Sequence, residues 1–323
     1  MVEWKRHYRN RSISQLATMG LPHDNFFIFV SGSYGDIFPN LALLQSLYQI
    51  KKIPIVVLLP TRWRELAGRF QQPGVRFTFI ENDIILQASL MMEGRPFALV
   101  PGVVFPTLPT LHPYLAEAII TNRISDYEVK RLLLELPVGS PMNAGNISSE
   151  RIKYGENILK KAGCRVGKTV VLAFNSNSTA RISWDIQALI ANHLISKGLD
   201  VIFNTAESFK SEVADEVNIS SFPVCQIPSD MPIEFVNLAG FYIGTLHGLT
   251  MILATFKNNA KIMNLVNCTV PEIISNGIVI PSDKHTLRVE HSEEICCSNR
   301  ITECTITGYN NHDLLVQLDQ WVS

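Results

Sequence analysis

The first stretch of the sequence with the residue types for chemistry is SGSYGDIF, residues 31–38, between the apolar run FFIFV and PNLALLQSLYQI. Gly32 and Gly35 would let backbone amides face a ligand, because glycine has no side chain to block the approach. Asp36, close to the start of a helix, could act as a general base. An aspartate at this place can equally cap the helix, so both interpretations stay open.

A second stretch, NSNSTARISW at residues 175–184, carries hydroxyl and amide side chains followed by Arg181, with a helix beginning close by. Hydroxyl groups, backbone amides, a guanidinium and a helix N-terminus together suit the binding of a diphosphate. The alternative is a polar loop with a surface arginine.

Two further stretches follow strand-like runs. In NTAES, Glu207 could accept hydrogen bonds from ribose hydroxyls, or it could simply favour the N-terminus of a helix. In YIGTLHGLT, Thr245, His247 and Gly248 occupy a strand-to-helix turn, which could bind a ligand or be a capping turn with an incidental histidine. Because all four stretches follow strands, a common ligand-binding edge is favoured over four coincidences.

The elements that would position these residues are apolar runs alternating with helix-like segments. The runs are continuously apolar, as expected for parallel strands covered by helices on both faces. They cover residues 26–30, 53–59, 75–80, 97–105, 169–174, 199–204, 222–227, 241–244 and 261–266. A helix is predicted around residues 40–50. The pattern predicts an α/β fold with two Rossmann-like domains.

Length and composition set the remaining bounds. A chain of 323 residues predicts two domains of roughly 150 residues each. The run LPVGSPMNAGNISS, residues 136–149, is rich in turn-forming residues and is interpreted as the linker, which predicts domains at 1–145 and 146–323.

The charge and the apolar runs predict which partners the protein has. The net charge of −1 predicts no nucleic-acid partner, and no apolar run has the length of a membrane span. The polar start and the six cysteines without a regular framework predict a cytoplasmic protein. The basic stretch WKRHYRNR could contact the inner membrane peripherally.

Taken together, the motifs resemble those of GT-B glycosyltransferases, in particular the ADP-heptose:lipopolysaccharide heptosyltransferase family (glycosyltransferase family 9). The resemblance rests on GSYGDIFPNLALLQSL, on NSNSTARISW with its arginine shortly before Trp184, on NTAES and on IGTLHGLTMILA. In the last motif the chain departs from the family: the family's aspartate falls on Leu246, its serine or threonine on His247 and its later histidine on Met251, while Gly248 matches. The resemblance implies two Rossmann-like domains whose parallel sheets face a central cleft.

The resemblance also implies roles for individual residues. Asp36 would deprotonate the acceptor hydroxyl in a single inverting displacement. The donor would be a nucleotide-diphosphate sugar, held without a metal or other cofactor, and no Asp-x-Asp metal motif occurs in the chain. His247 would add a charge or a hydrogen bond to the phosphates. The predicted donor-binding residues are Ser178, Thr179, Arg181, Glu207, Thr245, His247 and Gly248.

The acceptor would be a bacterial surface glycan or glycolipid of the lipopolysaccharide, O-antigen or capsule type. TRWRELAGR offers three arginines after the second strand, and LHPY offers a histidine. The predicted acceptor-binding residues are Gly32, Ser33, Tyr34, Arg62, Arg64 and His112, with Arg69 as the third arginine. Phosphate or acidic sugars would suit the arginines, whereas the alternative is a set of solvated helix charges.

Two other functions stay open. A polysaccharide pyruvyltransferase, which uses phosphoenolpyruvate, has a similar architecture, and YGD and TLHG resemble parts of its motifs; the arginine that this family has before Leu-His-Gly is Thr245 here. A non-catalytic binding subunit that kept the fold is the other alternative, because of the departures at Leu246 and Met251.

Overall fold

The structure of the protein is a computed structural model. It describes residues 25–30, 32–81, 103–104, 126–174, 182–205, 222–245, 247–266, 272–273, 279–280, 300–306 and 311–323. The chain divides into two compact units, Met1–Asn146 and Ile147–Ser323. The predicted boundary, between residues 145 and 146, lies one residue before this division.

The first unit contains a parallel four-stranded sheet. Its strands are β1 (Phe26–Phe29), β2 (Ile55–Pro60), β3 (Val75–Ile80) and β4 (Val103–Val104). The strand order is β3-β2-β1-β4, and every residue of β1 and β2 is buried, as their continuous apolar sequences require. Because β2 and β4 lie on opposite sides of β1, the direction of the strand order reverses between β1 and β4. Ligands of such sheets bind at this reversal, beyond the carboxyl ends of the strands.

The helices of the first unit are α1 (Tyr34–Ala42), α2 (Leu44–Lys51), α3 (Arg64–Arg69) and α4 (Asp126–Leu133), with a 3₁₀ turn at Thr61–Trp63. The prediction of a helix around 40–50 placed its start too late. Ser33 is the N-cap of α1 and Asp36 is its third residue, and together they form a capping box. The helix therefore begins within SGSYGD and not after it.

The segment predicted as the linker, residues 136–149, is attached to the first unit as far as Asn146. The Ser46 hydroxyl donates to the Pro141 carbonyl at 2.6 Å. The Asn146 N–H donates to the Arg69 carbonyl at 2.8 Å. The Pro, Gly and Asn content thus correctly indicated irregular backbone, but the segment packs on the first unit as far as Asn146.

The second unit contains a parallel six-stranded sheet and a short hairpin. The sheet strands are β5 (Thr169–Ala173), β6 (Asp200–Asn204), β7 (Val224–Cys225), β8 (Gly240–Thr245), β9 (Lys261–Val266) and β12 (Ile301–Thr305), and the hairpin strands are β10 (Glu272–Ile273) and β11 (Val279–Ile280). The sheet order is β12-β9-β8-β5-β6-β7. The order reverses between β5 and β8, so the predicted ligand-binding place of this unit is at their carboxyl ends.

The helices of the second unit are α5 (Ser149–Lys161), α6 (Trp184–Ser196), α7 (Pro232–Ala239), α8 (Gly248–Thr255) and α9 (Asn311–Val322). Helices α6 and α9 cover one face of the sheet, where Leu194, Leu318 and Trp321 join the apolar residues of the strands. Helix α5 packs on α7, and Arg151 forms a bidentate pair with Asp230 there. No described helix has both the length and the apolar character needed to cross a membrane. The predicted α/β class with two parallel sheets is confirmed.

Candidate functional site

Three of the described candidate residues, Asp36, Thr245 and Gly248, lie where the two sheets reverse their strand order. In the first unit, Asp36 follows the carboxyl end of β1. In the second unit, Thr245 ends β8 and Gly248 begins α8. Each unit therefore has candidate residues at the place where parallel sheets bind their ligands.

The Asp36 carboxylate is oriented by the residue that caps α1. Its Oδ2 atom accepts a hydrogen bond from the Ser33 N–H at 2.9 Å and another from the Ser33 hydroxyl at 2.8 Å. The side chain is half-buried. The helix-capping interpretation therefore describes what this carboxylate does in the fold. A catalytic role for the same group stays a prediction.

Gly32 is required by the backbone and by the neighbouring carboxylate. Its φ angle is +106°, in the region that favours glycine, and a Cβ atom built on it would lie 2.7 Å from Asp36 Oδ2. Gly35, in contrast, lies in the first turn of α1. Of the two glycines quoted from this motif, Gly32 is the one whose conformation excludes other residues.

A group of aromatic and basic side chains borders this turn. The Arg62 guanidinium donates through Nη2 to the Gly32 carbonyl at 2.9 Å and lies 5.3 Å from the centre of the Trp63 ring. Tyr34 stacks on Trp63, with ring centres 5.7 Å apart and planes 26° apart. Sequence reasoning missed Trp63, although it stands between two predicted arginines. Its buried indole N–H has no partner within the described part of the chain.

The other predicted acceptor residues have different surroundings. Arg64 is exposed, and its guanidinium lies 4.3 Å from the centre of the Phe79 ring at the end of β3. Arg69 is 5% exposed and donates to the Ala144 carbonyl. It therefore serves the fold, and the expectation that it meets an acceptor is wrong. His112 lies outside the described residues.

In the second unit, His247 joins two segments of backbone. It is the N-cap of α8, and its Nδ1 atom accepts a hydrogen bond from the Leu249 N–H at 3.1 Å. Its Nε2 atom lies 3.2 Å from the carbonyl of Ala173, the last residue of β5, and 3.2 Å from the Tyr242 hydroxyl. Since Nδ1 is an acceptor here, the ring proton belongs on Nε2.

The His247 ring is neutral at physiological pH. Burial lowers its pKa to about 4, an effect that the Ala173 carbonyl opposes only in part. This pKa does not favour a positive charge on the ring in this structure, and the predicted contribution of a charge or a hydrogen bond to the phosphates stays a prediction. The contacts of the ring are those of the alternative interpretation, a capping turn.

Tyr242 extends the same set of polar groups into the core. Its hydroxyl lies 2.9 Å from the Thr250 hydroxyl, which donates to the Thr245 carbonyl at 2.6 Å. Tyr242 is fully buried, and burial raises the pKa of its phenol well above the ordinary value. The Thr245 hydroxyl is buried too, and no described residue pairs with it. These groups are neutral donors and acceptors packed below the first turn of α8.

The remaining donor predictions, Ser178, Thr179, Arg181 and Glu207, lie outside the described residues, as does Leu246. The strands that lead to the first four are described. Strands β5 and β6 are neighbours, with Leu172 beside Phe203 near their carboxyl ends. Among the described residues, no group of three or more His, Cys, Asp or Glu side chains could hold a metal ion.

No protein-family model matches the chain, and no curated protein sequence matches it either. Solved structures do. The chain is similar to E. coli heptosyltransferase WaaC with ADP-2-deoxy-2-fluoro heptose, at 13% identity over 92% of this chain and 98% of that one, with a TM-score of 0.51. For E. coli ADP-heptose lps heptosyltransferase II the values are 13%, 92%, 98% and 0.54.

The chain is also similar to the glycosyl transferase family 9 protein from Veillonella parvula, at 11% identity over 93% of this chain and 90% of that one, with a TM-score of 0.55. At such identities the likeness establishes the fold. The chain has the α/β GT-B fold of these glycosyltransferases, which is the fold that its motifs predicted.

Proposed function

We propose that the protein is a glycosyltransferase that moves a sugar from a nucleotide-diphosphate donor to a hydroxyl of a bacterial surface glycan or glycolipid. The observation that carries the proposal is the fold likeness to three glycosyltransferases over more than nine-tenths of the chain. The structure of the first, heptosyltransferase WaaC, contains ADP-2-deoxy-2-fluoro heptose, which is a nucleotide-diphosphate sugar. The candidate residues at both strand-order reversals support it.

The second unit would hold the donor. Gly248 begins α8, so the backbone amides of this turn can face the diphosphate, and the helix N-terminus favours its negative charge. Ser178, Thr179 and Arg181 would supply further donors, and Glu207 would accept hydrogen bonds from the ribose. We propose that these groups, without a metal or other cofactor, stabilise the charge that grows on the leaving diphosphate.

The first unit would hold the acceptor and the base. Asp36 would take the proton of the acceptor hydroxyl as its oxygen attacks the anomeric carbon and the nucleotide diphosphate leaves, so that one displacement inverts that carbon. The Ser33 groups hold the carboxylate in one orientation, which favours a defined direction of proton transfer. A sugar ring could pack on the exposed side of the Tyr34–Trp63 pair, and Arg62 and Arg64 would attract an acidic group on the acceptor.

The test is a transfer assay with the full chain. ADP-heptose and UDP-, GDP- and dTDP-sugars would each be offered with bacterial glycolipid extract, and release of the nucleoside diphosphate would be measured. We expect release with one class of nucleotide sugar and loss of that release in Asp36→Asn. A parallel reaction would contain phosphoenolpyruvate in place of the nucleotide sugar. Release of phosphate there, with no nucleotide-sugar turnover, would support the pyruvyltransferase and contradict the proposal. Nucleotide binding without any turnover would support the binding subunit.

A further inference from the structure

The His247 ring is the described side chain that connects β5 to α8. Through Nδ1 it caps the first turn of α8, and through Nε2 it reaches the terminal carbonyl of β5, at Ala173. The second of these contacts is unnecessary for capping, because a serine, threonine or asparagine would satisfy the same N–H. The ring therefore makes a contact with the end of β5 that the side chain of a standard N-cap residue does not make.

The packing around Gly244 shows that the contact between Tyr242 and His247 requires a residue without a side chain at position 244. A Cβ atom on Gly244 would lie 2.8 Å from Tyr242 Cζ and 2.9 Å from the Ala173 carbonyl oxygen. Both distances are shorter than real Cβ contacts allow, and the atoms approached are a fully buried ring and a backbone carbonyl. The glycine lets Tyr242 pass beneath the end of β8 and reach both His247 and Thr250.

We propose that His247 is a positioning residue that fixes the distance between the end of β5 and the N-terminus of α8. This inference rests on the proposed function, in which the first turn of α8, beside the carboxyl end of β5, holds the donor diphosphate. The imidazole then acts through the backbone it holds and does not itself contact phosphate. Tyr242 supports the ring from below and keeps it in the tautomer with its proton on Nε2.

Two substitutions at the same position separate capping from positioning. His247→Asn keeps an N-cap oxygen, and asparagine is among the best capping residues, but its shorter side chain cannot reach the Ala173 carbonyl. His247→Ala removes both contacts. His193→Asn is the matched control, because His193 lies on α6 of the same unit and pairs with Asp319 at the surface.

The experiment measures the melting temperature of each variant and its affinity for ADP, UDP, GDP and dTDP by titration calorimetry. We expect His247→Asn to recover most of the melting temperature that His247→Ala loses, while both variants bind the preferred nucleotide about two- to tenfold more weakly, the range of one hydrogen bond. His193→Asn should bind as the wild type does. A purely structural role for His247 predicts that stability and affinity recover together in His247→Asn.

A pH series provides the second readout. The ratio of wild-type affinity to His247→Asn affinity cancels the ionisation of the nucleotide itself, and we expect this ratio to stay constant from pH 6 to pH 8. A ratio that rises as the pH falls towards 6 would mean that a cationic His247 contacts phosphate, and it would overturn the inference.

The outcomes also separate this inference from the proposed function. If the wild type binds a nucleoside diphosphate and His247→Asn binds it equally well, the positioning role is wrong while the glycosyltransferase proposal stands. If the wild type binds none of the four nucleotides, the donor site itself is wrong, and the positioning role is lost with it.

Discussion

Strands β1 and β8 each border the reversal of strand order in their own sheet, yet the polar groups at their carboxyl ends differ in charge and in burial. At the end of β1, an aspartate and an arginine lie at or near the surface, and the aspartate caps its helix from the third helical position. At the end of β8, a neutral histidine caps the helix from the N-cap position and contacts a fully buried tyrosine. The same strand-to-helix connection thus supports two different electrostatic environments.

This difference fits two different tasks. A general base must be unprotonated and accessible to the proton that it takes, and in the proposed function the half-buried Asp36 would be this base. A turn that binds a diphosphate needs its backbone amides held in place, because a helix N-terminus already favours negative charge. A neutral, half-buried His247 can hold such a turn without titrating near neutral pH.

The largest effect is expected from Asp36→Asn in the first unit. Asparagine keeps the shape of the side chain and can still accept a hydrogen bond from the Ser33 N–H, but it cannot take a proton. We expect turnover to fall about 10²- to 10⁴-fold, the usual contribution of a general base. Nucleotide affinity, measured by calorimetry, and the melting temperature should change little. Turnover close to that of the wild type would return Asp36 to a capping role alone.

The stability of the second unit is expected to fall in acid because of His247. The pKa of His247 is about 4 in the folded protein, below the value of roughly 6.5 in an unfolded chain. The unfolded state therefore binds more protons between these values. This contribution to stability is complete above pH 6.5 and is lost as the pH falls from 6.5 to 4. We expect a loss of about 2–3 kcal/mol, smaller than the full pKa difference implies because the residue keeps some solvent exposure.

Denaturant unfolding at pH values from 4.5 to 7.5 measures this loss, and His247→Asn is the control because it has no imidazole to titrate. Between pH 5 and 6.5 most carboxylates stay ionised, so the difference between the two curves isolates the histidine. Parallel curves through this window would show that the ring is not held neutral by the fold.

Features of the fold that depend on neighbouring residues could be predicted from the sequence, whereas contacts between residues distant in the sequence could not. Strands β3 and β9 match the predicted runs at both ends, because short runs rich in β-branched and aromatic or aliphatic residues favour strands. The expected continuous burial holds for β9 after its first residue but not for β3, an edge strand in which Arg76 is exposed. Helix α5 was missed, because SERIKYGENILKK is largely polar and only its cap, Ser148, signals a start. The buried role of Arg69 was missed as well, since its partner at Ala144 is distant in sequence.

The candidate residues show the same division. The strand-to-helix turns at Asp36 and His247 could be found from glycines and polar residues after apolar runs. Their protonation and contacts could not, because these depend on partners that the sheet brings together. The carbonyl of Ala173 lies close to His247 because β5 pairs with β8. The sequence does not show this pairing, so it does not show that the ring is neutral.

A smaller effect is expected from Gly32→Ala, which tests whether the orientation of the carboxylate matters. The new methyl group would meet Asp36 Oδ2, and alanine at φ +106° is strained, which should cost about 1–3 kcal/mol of stability. Turnover should fall more than nucleotide affinity does, since the shift is beside the base. Gly68→Ala on α3 is the control, because no described atom lies within 4 Å of its added Cβ. Equal loss of turnover in both variants would contradict a local effect.

The smallest effects are expected from the two exposed arginines beside this turn. Arg62→Gln removes the cation that the proposed function places beside an acidic group of the acceptor, together with a hydrogen bond to the Gly32 carbonyl and a contact with Trp63. With the acceptor found in the transfer assay, we expect its KM to rise about two- to tenfold with kcat little changed. Arg64→Gln loses only the contact with the Phe79 ring, worth about 0.5–1 kcal/mol at an exposed site. Its effect on the acceptor KM should be smaller than that of Arg62→Gln. A larger rise in KM for Arg64→Gln than for Arg62→Gln would place the acceptor beside Phe79 at the end of β3, and not at the end of β1.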